Sequence, residues 1–361
     1  MLMSVMATEL ANEAKDVGVR QSAGLVLKNC LSSKVSMGGV EAHAVGPRVW
    51  RRGLRACVRA CVRACVRACV RARAGPRGGL WSAASRLAEC RVSTARARAP
   101  CSFPWQDDAK QEALGAQWLA FDAAGKAQIK NAVFGCLGSS ARGARDVAAQ
   151  VVSAAATIEL PRGEWLDVIQ ALVTNVTSAS TPQLKQSSLK VLGYICEEID
   201  PDVLESQSNL ILTAVIQGMR KEETDPDTRL AGTQALYNAL AFVKKNFDNE
   251  TERNYIMQTV CETTQAERSD IRLAAYECVV SIAETYYDLL APYMQALYSL
   301  TLQCVERSTK EEEEDEVGQQ AVEFWSTVCD EELDLMASRP RRKRLRPAAP
   351  PAAPPAAPPA G

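Results

Sequence analysis

The amino-acid sequence predicts an all-α chain built as a solenoid of stacked helix pairs. Three observations predict it. A helix-start pattern recurs at Gln183, Asp227, Asp270 and Asp315, in steps of 44, 43 and 45 residues. A second helical pattern lies between these starts, over residues 163–178, 208–219, 250–265 and 289–308. No strand-like alternation of apolar and polar residues competes with them. Two helices per roughly 40–47 residues is the period of HEAT and armadillo arrays. A lone helix pair cannot bury its apolar face, so each unit must stack on its neighbours in a right-handed superhelical array.

Residues 1–34 carry an early relative of the recurring start, Asp16-Val17-Gly18-Val19-Arg20-Gln21-Ser22-Ala23. They are expected to form a truncated first HEAT repeat that lacks most of its first helix. Glu9, Glu13, Lys15 and Asp16 break up any secretory signal. Nor does an apolar run reach the 18 or so residues of a membrane span. A soluble, intracellular chain is expected, with no membrane partner.

Residues 35–106 differ from everything around them. Residues 36–105 hold fourteen Arg, no Lys and only Glu41 and Glu89. Residues 56–71 repeat Ala-Cys-Val-Arg four times. As a helix this period would give a drifting cysteine stripe, for which a metal or haem site is conceivable. The genetic code offers a plainer account: the DNA word TGCG, read in triplets, encodes Cys-Val-Arg-Ala without selection on the protein. Lys34-Val35-Ser36 can be coded with a splice-donor-like GTGAG, and Phe103-Pro104-Trp105-Gln106 with a pyrimidine run ending in CAG. The segment reads as a disordered insertion, a retained intron. The tail from Arg339 to Gly361 is similar. Its basic run Arg-Pro-Arg-Arg-Lys-Arg-Leu-Arg either imitates a nuclear localisation signal or is GC-rich non-coding sequence, and the Pro/Ala repeat after it would be extended.

Residues 107–338 form the HEAT array. Pro161, Pro182, Pro201, Pro226 and Pro292 stand near helix starts, where the missing N–H costs little. Leu230, Leu236, Leu240 and Val243 follow the helical period of a buried stripe. Trp118, Trp165 and Trp325 read as packing residues. Of the thirteen cysteines, Cys30, Cys136, Cys196, Cys261, Cys278, Cys304 and Cys329 are scattered singly through helical patterns, as small buried hydrophobes would be.

The net charge of −1 hides an acidic body, because the insertion and the tail hold so much of the Arg. An acidic body favours basic protein partners over nucleic acid. His43, the only His, lies in the insertion, which removes His-dependent catalysis. No Gly-rich phosphate loop or nucleophile constellation is present, so neither catalysis nor a cofactor is expected. Asn175-Val176-Thr177 and Asn249-Glu250-Thr251 match glycosylation acceptors that an intracellular chain would leave unmodified.

Several longer strings carry a family resemblance. They are Gly193-Tyr194-Ile195-Cys196-Glu197-Glu198-Ile199-Asp200-Pro201, residues 211–223 (ILTAVIQGMRKEE) and residues 322–332 (VEFWSTVCDEE). Ala23-Gly24-Leu25 with Lys28-Asn29, and Trp118-Leu119-Ala120, extend it. Over residues 7–34 and 111–336 the chain resembles the importin-beta (karyopherin) family. The match corresponds to the N-terminal third or so of those receptors.

The resemblance implies an all-HEAT receptor that moves cargo between cytoplasm and nucleus through nuclear pores and releases it to the GTP form of the small GTPase Ran. Ran would meet the second helices of the pairs. Phe-Gly nucleoporins would dock between first helices of neighbouring pairs, at Leu212, Thr213 and Ile216 on one helix and Glu252, Tyr255 and Ile256 on the next. Tyr255 stands where the family usually has Phe. Read from the residues alone, Leu212, Ile216 and Ile256 are equally well ordinary inter-repeat core. The run Glu311–Glu316 falls too early in the array for the family's acidic loop and reads as a solvated inter-helix loop. The repeats that grip importin-alpha are absent from the match, and Ran binding would be weakened by the broken first repeats. The alternative from a different class is a HEAT-repeat structural scaffold, such as a phosphatase scaffold subunit.

Overall fold

A computed structural model describes residues 2–32, 105–178, 181–310 and 315–338. The Arg/Cys-rich segment up to Pro104, Glu311–Glu314 of the acidic run, and the tail from Arg339 lie outside the described residues. Among the described residues every regular element is helical, and none is long and apolar enough to cross a membrane. The chain divides into two compact units, residues 1–278 and 279–361.

The first unit begins with α1 (Leu2–Ala11) and α2 (Val17–Asn29), which pack as a pair. The sequence leads one to expect a nearly missing leading helix here; ten residues of it are present. Asp16 caps α2 by accepting from Gly18 N at 2.8 Å. Next come α3 (Trp105–Leu119), which starts two residues inside the stretch assigned to the insertion, α4 (Ala123–Gly135) and α5 (Arg142–Glu159). Then follow α6 (Val168–Thr177), α7 (Pro182–Glu198), α8 (Ser208–Met219), α9 (Pro226–Ala239), α10 (Glu250–Thr263) and the start of α11 (Ser269–Tyr286).

These helices stack in two rows. First helices pack on first helices: α1 on α4, α6 on α8, α8 on α10. Second helices pack on second helices: α2 on α5, α5 on α7, α7 on α9. That is the HEAT solenoid expected from the period. The core between the rows is aliphatic, with Leu189, Leu192, Ile195, Ile211, Val215 and Leu236 fully buried. Pairing is tightest where α8 meets α9. A Cβ on Gly232 would lie 3.0 Å from the Gly218 carbonyl carbon and 3.1 Å from Met219 N, so any larger residue would have to push the two backbones apart by a few tenths of an ångström.

The recurring start has a physical purpose. The fourth residue of α2, α5, α9 and α11 is Arg, and each folds back onto carbonyls at the end of the first-helix segment before it. Arg20 Nε donates to Leu10 O at 2.9 Å, Arg145 Nη1 to Ser139 O at 2.8 Å, Arg229 Nε to Met219 O at 3.5 Å and Arg272 Nη1 to Ala266 O at 2.6 Å. Helix C-termini leave carbonyls unsatisfied and carry partial negative charge, and a guanidinium answers both.

In the second unit, α12 (Met294–Ser308) packs against α13 (Asp315–Ser338). Phe324 is fully buried between them, and Trp325 Nε1 donates to Thr301 Oγ1 at 2.9 Å. Tyr298, Leu302, Val322, Leu333 and Met336 are exposed.

Candidate functional site: the slot between neighbouring first helices

All six residues assigned by resemblance lie in the first unit, on α8 and α10. Leu212 and Thr213 follow Asn209 by three and four positions, with Ile216 a turn further on, so they share one face of α8. Tyr255 and Ile256 follow Glu252 in the same way on α10. A hydrogen-bonded bridge joins the starts of the two faces. Asn246, in the helical turn Lys244–Asp248, donates through Nδ2 to Asn209 Oδ1 at 2.5 Å and to Glu252 Oε2 at 2.6 Å. The two faces therefore look at each other across the α8–α10 contact.

Burial sorts the six residues. Leu212 is 5% exposed, Ile216 4% and Ile256 3%, so the aliphatics are a packed floor, as the core reading of them has it. Thr213 is exposed, and its hydroxyl donates to Asn209 O at 2.7 Å on its own helix. Glu252 is half-buried. The Tyr255 ring is 47% exposed and is the apolar surface a partner can reach directly.

Sequence reasoning missed the polar frame at the slot's end. Besides Asn246 and Asn209 it includes Asn249, whose Nδ2 donates to Glu252 Oε1 at 3.0 Å. Asn249 Oδ1 also accepts from Thr251 N at 3.0 Å, so the apparent glycosylation triplet is the N-cap of α10. An Asn followed at once by Glu-Thr-Glu is a legible helix start. Nothing in the sequence marks Asn246. The other triplet is also structural, with Asn175 Nδ2 donating to Ser188 Oγ at 3.2 Å.

The second-helix row is laced with charge. Lys190 Nζ on α7 donates to Asp146 Oδ1 on α5 at 2.7 Å, and Lys185 Nζ to Glu223 Oε2 at 2.9 Å. Arg268 reaches Asp227 at 2.6 Å and also pairs with Asp270. The hydrogen bond from Arg268, aided by its charge, holds the Asp227 carboxyl below its ordinary range. Buried Glu159 accepts from Trp118 Nε1 at 2.9 Å and from Lys130 Nζ at 2.8 Å. That lysine also lies 4.5 Å above the Trp165 ring. All three sequence-singled tryptophans thus pack or hydrogen-bond within the fold.

Stacked pairs with a slot between adjacent first helices define a HEAT solenoid. The family model "Stalled ribosome sensor GCN1-like, HEAT repeats" matches residues 167–334. The chain is 44% identical over 234 residues to importin subunit beta-1 of Arabidopsis thaliana, an alignment spanning 63% of this chain and 26% of that protein. Against importin subunit beta-1 of Schizosaccharomyces pombe it is 48% identical over 219 residues, 60% of this chain and 25% of that one. Yeast importin-beta (Kap95p) superposes with a TM-score of 0.67 at 30% identity, covering 93% of this chain and 30% of that chain. A Kap95:Nup1 complex gives 0.65 at 30% identity, over 93% and 31%. Kap95p in a structure with RanGDP gives 0.66 at 30% identity, over 93% and 30%. The importin-beta resemblance therefore holds in both sequence and fold, and the chain spans about a quarter of the length of these relatives.

Proposed function

We propose that this chain is a segment of a nuclear-transport receptor of the importin-beta type, working between cytoplasm, pore and nucleus. Its first-helix row docks Phe-Gly segments of nucleoporins in the α8–α10 slot, and its second-helix row meets Ran. One observation supports the slot above others: where two first helices pack together, Leu212, Ile216 and Ile256 are buried while the Tyr255 ring stays exposed. The Nup1-bound relative favours a nucleoporin partner, and the RanGDP-bound relative favours the GTPase. Burying roughly 100 Å² of phenyl surface at about 25 cal/mol/Å² yields about 2–3 kcal/mol before binding costs. Contacts that weak are quickly broken, as passage through a Phe-Gly meshwork demands.

Titration with a fluorescent Phe-Gly repeat peptide tests this. Tyr255→Ala should weaken binding about tenfold, while Tyr255→Phe, which keeps the ring, should not. Equal affinity for wild type and Tyr255→Ala would remove the slot from the docking surface. Ile216→Asp is the poorer probe, since it would place a carboxylate in the packed floor and unsettle the fold itself.

A further inference from the structure

Asn246 is 3% exposed, in the turn that leads from α9 into α10. Its amide nitrogen has two hydrogens. One goes to Asn209 on α8 and the other to Glu252 on α10. Its own carbonyl, Oδ1, is buried without a partner. A buried acceptor left unmet is unfavourable, and native folds keep few of them. Here the cost accompanies a bond pair that ties together the two helices flanking the slot. Packing alone would be served as well by an aliphatic side chain.

Glu252 is held at both oxygens, by Asn246 at one and Asn249 at the other, so its carboxylate has a fixed position at the slot's end. A carboxylate has about four lone-pair sites, and two amides leave the others able to accept peptide N–H groups. Glycine beside the phenylalanine lets the peptide backbone come close enough to donate.

We propose that Asn246 is a positioning residue of the docking slot: by tying Asn209 to Glu252 it fixes the slot's width and aims the Glu252 carboxylate at the bound backbone, and so sets affinity for Phe-Gly segments. The inference rests on the slot reading given above. The test is a double-mutant cycle between Asn246 and Glu252. Asn246→Asp sets two carboxylates against each other. Glu252→Gln removes the carboxylate that Asn246 is proposed to aim, and adding Asn246→Asp to it relieves the repulsion without restoring that carboxylate. Affinity for a labelled Phe-Gly peptide is measured well below the melting temperature of each variant, and the melting temperature is recorded separately.

Asn246→Asp should lose about tenfold in affinity on its own, and adding it to Glu252→Gln should cost little further. A lower melting temperature with unchanged affinity would make Asn246 merely structural and overturn the proposal. So would losses from Asn246→Asp and Glu252→Gln that multiply in the double variant, since the two residues would then act independently. Tyr255→Ala, run alongside, separates the two ideas. Its failure to weaken binding sinks the slot, whereas a weakened Tyr255→Ala beside an unaffected Asn246→Asp sinks only the positioning role.

Discussion

The guanidinium of Arg268, just before α11, donates to the carboxylate of Asp227 at the start of α9, 2.6 Å away, and joins consecutive second helices at their N-terminal ends. Both side chains are more than a third exposed, so solvent screening limits the pair to under about 1 kcal/mol. The lowered pKa of Asp227 fixes the sign. Its contribution is present above the unfolded-chain value of 3.8 and is lost as pH falls through the lower folded value. Asp227→Asn should therefore unfold slightly earlier in urea at pH 7, and the gap to wild type should narrow below pH 3.8.

Glu159 behaves differently because it is 1% exposed. Replacing it by Leu strands the Trp118 N–H and deprives Lys130 of its anion. The expected cost is about 3 kcal/mol, seen as a drop in the urea midpoint. Glu159→Gln keeps an acceptor for Trp118 and should cost about half as much. Equal effects of the two variants would mean that the charge, not the hydrogen bond, carries the interaction.

Two glycines should respond in opposite ways to the same substitution. Gly232→Ala drives a methyl group against the backbone of Gly218 and Met219 and should destabilise by about 1–3 kcal/mol. Gly135, at the end of α4, has nothing within 4 Å of an added Cβ. Gly135→Ala should stabilise by about 0.5–1 kcal/mol. Thermal melts of the two variants should shift in opposite directions.

Thiol reactivity should follow the fold. Cys196 is buried, and burial pushes its thiol well above the ordinary value; Cys261 is pushed up to about 11 for the same reason. Cys329 is exposed. Brief alkylation of native protein near pH 8, read by peptide mass spectrometry, should label Cys329 before Cys261 and leave Cys196 unlabelled. Early labelling of Cys196 would show that the α7–α9 packing opens.

The array was legible because its period is imposed by packing that every pair repeats. Pro182 and Pro226 stand at the first position of their helices, as their ring geometry favours. Boundaries were less legible where the backbone does something local. The pattern over 163–178 begins as a helix only at Val168, because Gly163 and Trp165 adopt left-handed conformations at φ 74° and 53°. No residue-type rule places a tryptophan there. The pattern over 289–308 likewise starts at Met294, after two short 3-10 turns. At the slot, family resemblance picked out positions on the facing sides of α8 and α10. It could not separate the reachable Tyr255 from the packed Ile216, which differ only in which way each side chain turns. The Asn246 bridge was invisible because it joins residues 37 positions apart through a turn with no periodicity of its own.

The arginine at the fourth position of the second helices has a bearing on how such chains lengthen. Arg145, Arg229 and Arg272 each bond to carbonyls no more than ten residues upstream, so that stitch is sewn entirely within its own pair. Whole pairs can then be duplicated or lost between Arg145 and Arg272 without cutting any of these stitches. Arg20 also reaches beyond its own pair. It donates to Ser139 Oγ as well as to Leu10 O, so the opening pair is fastened to the one beyond it and is not interchangeable with the rest.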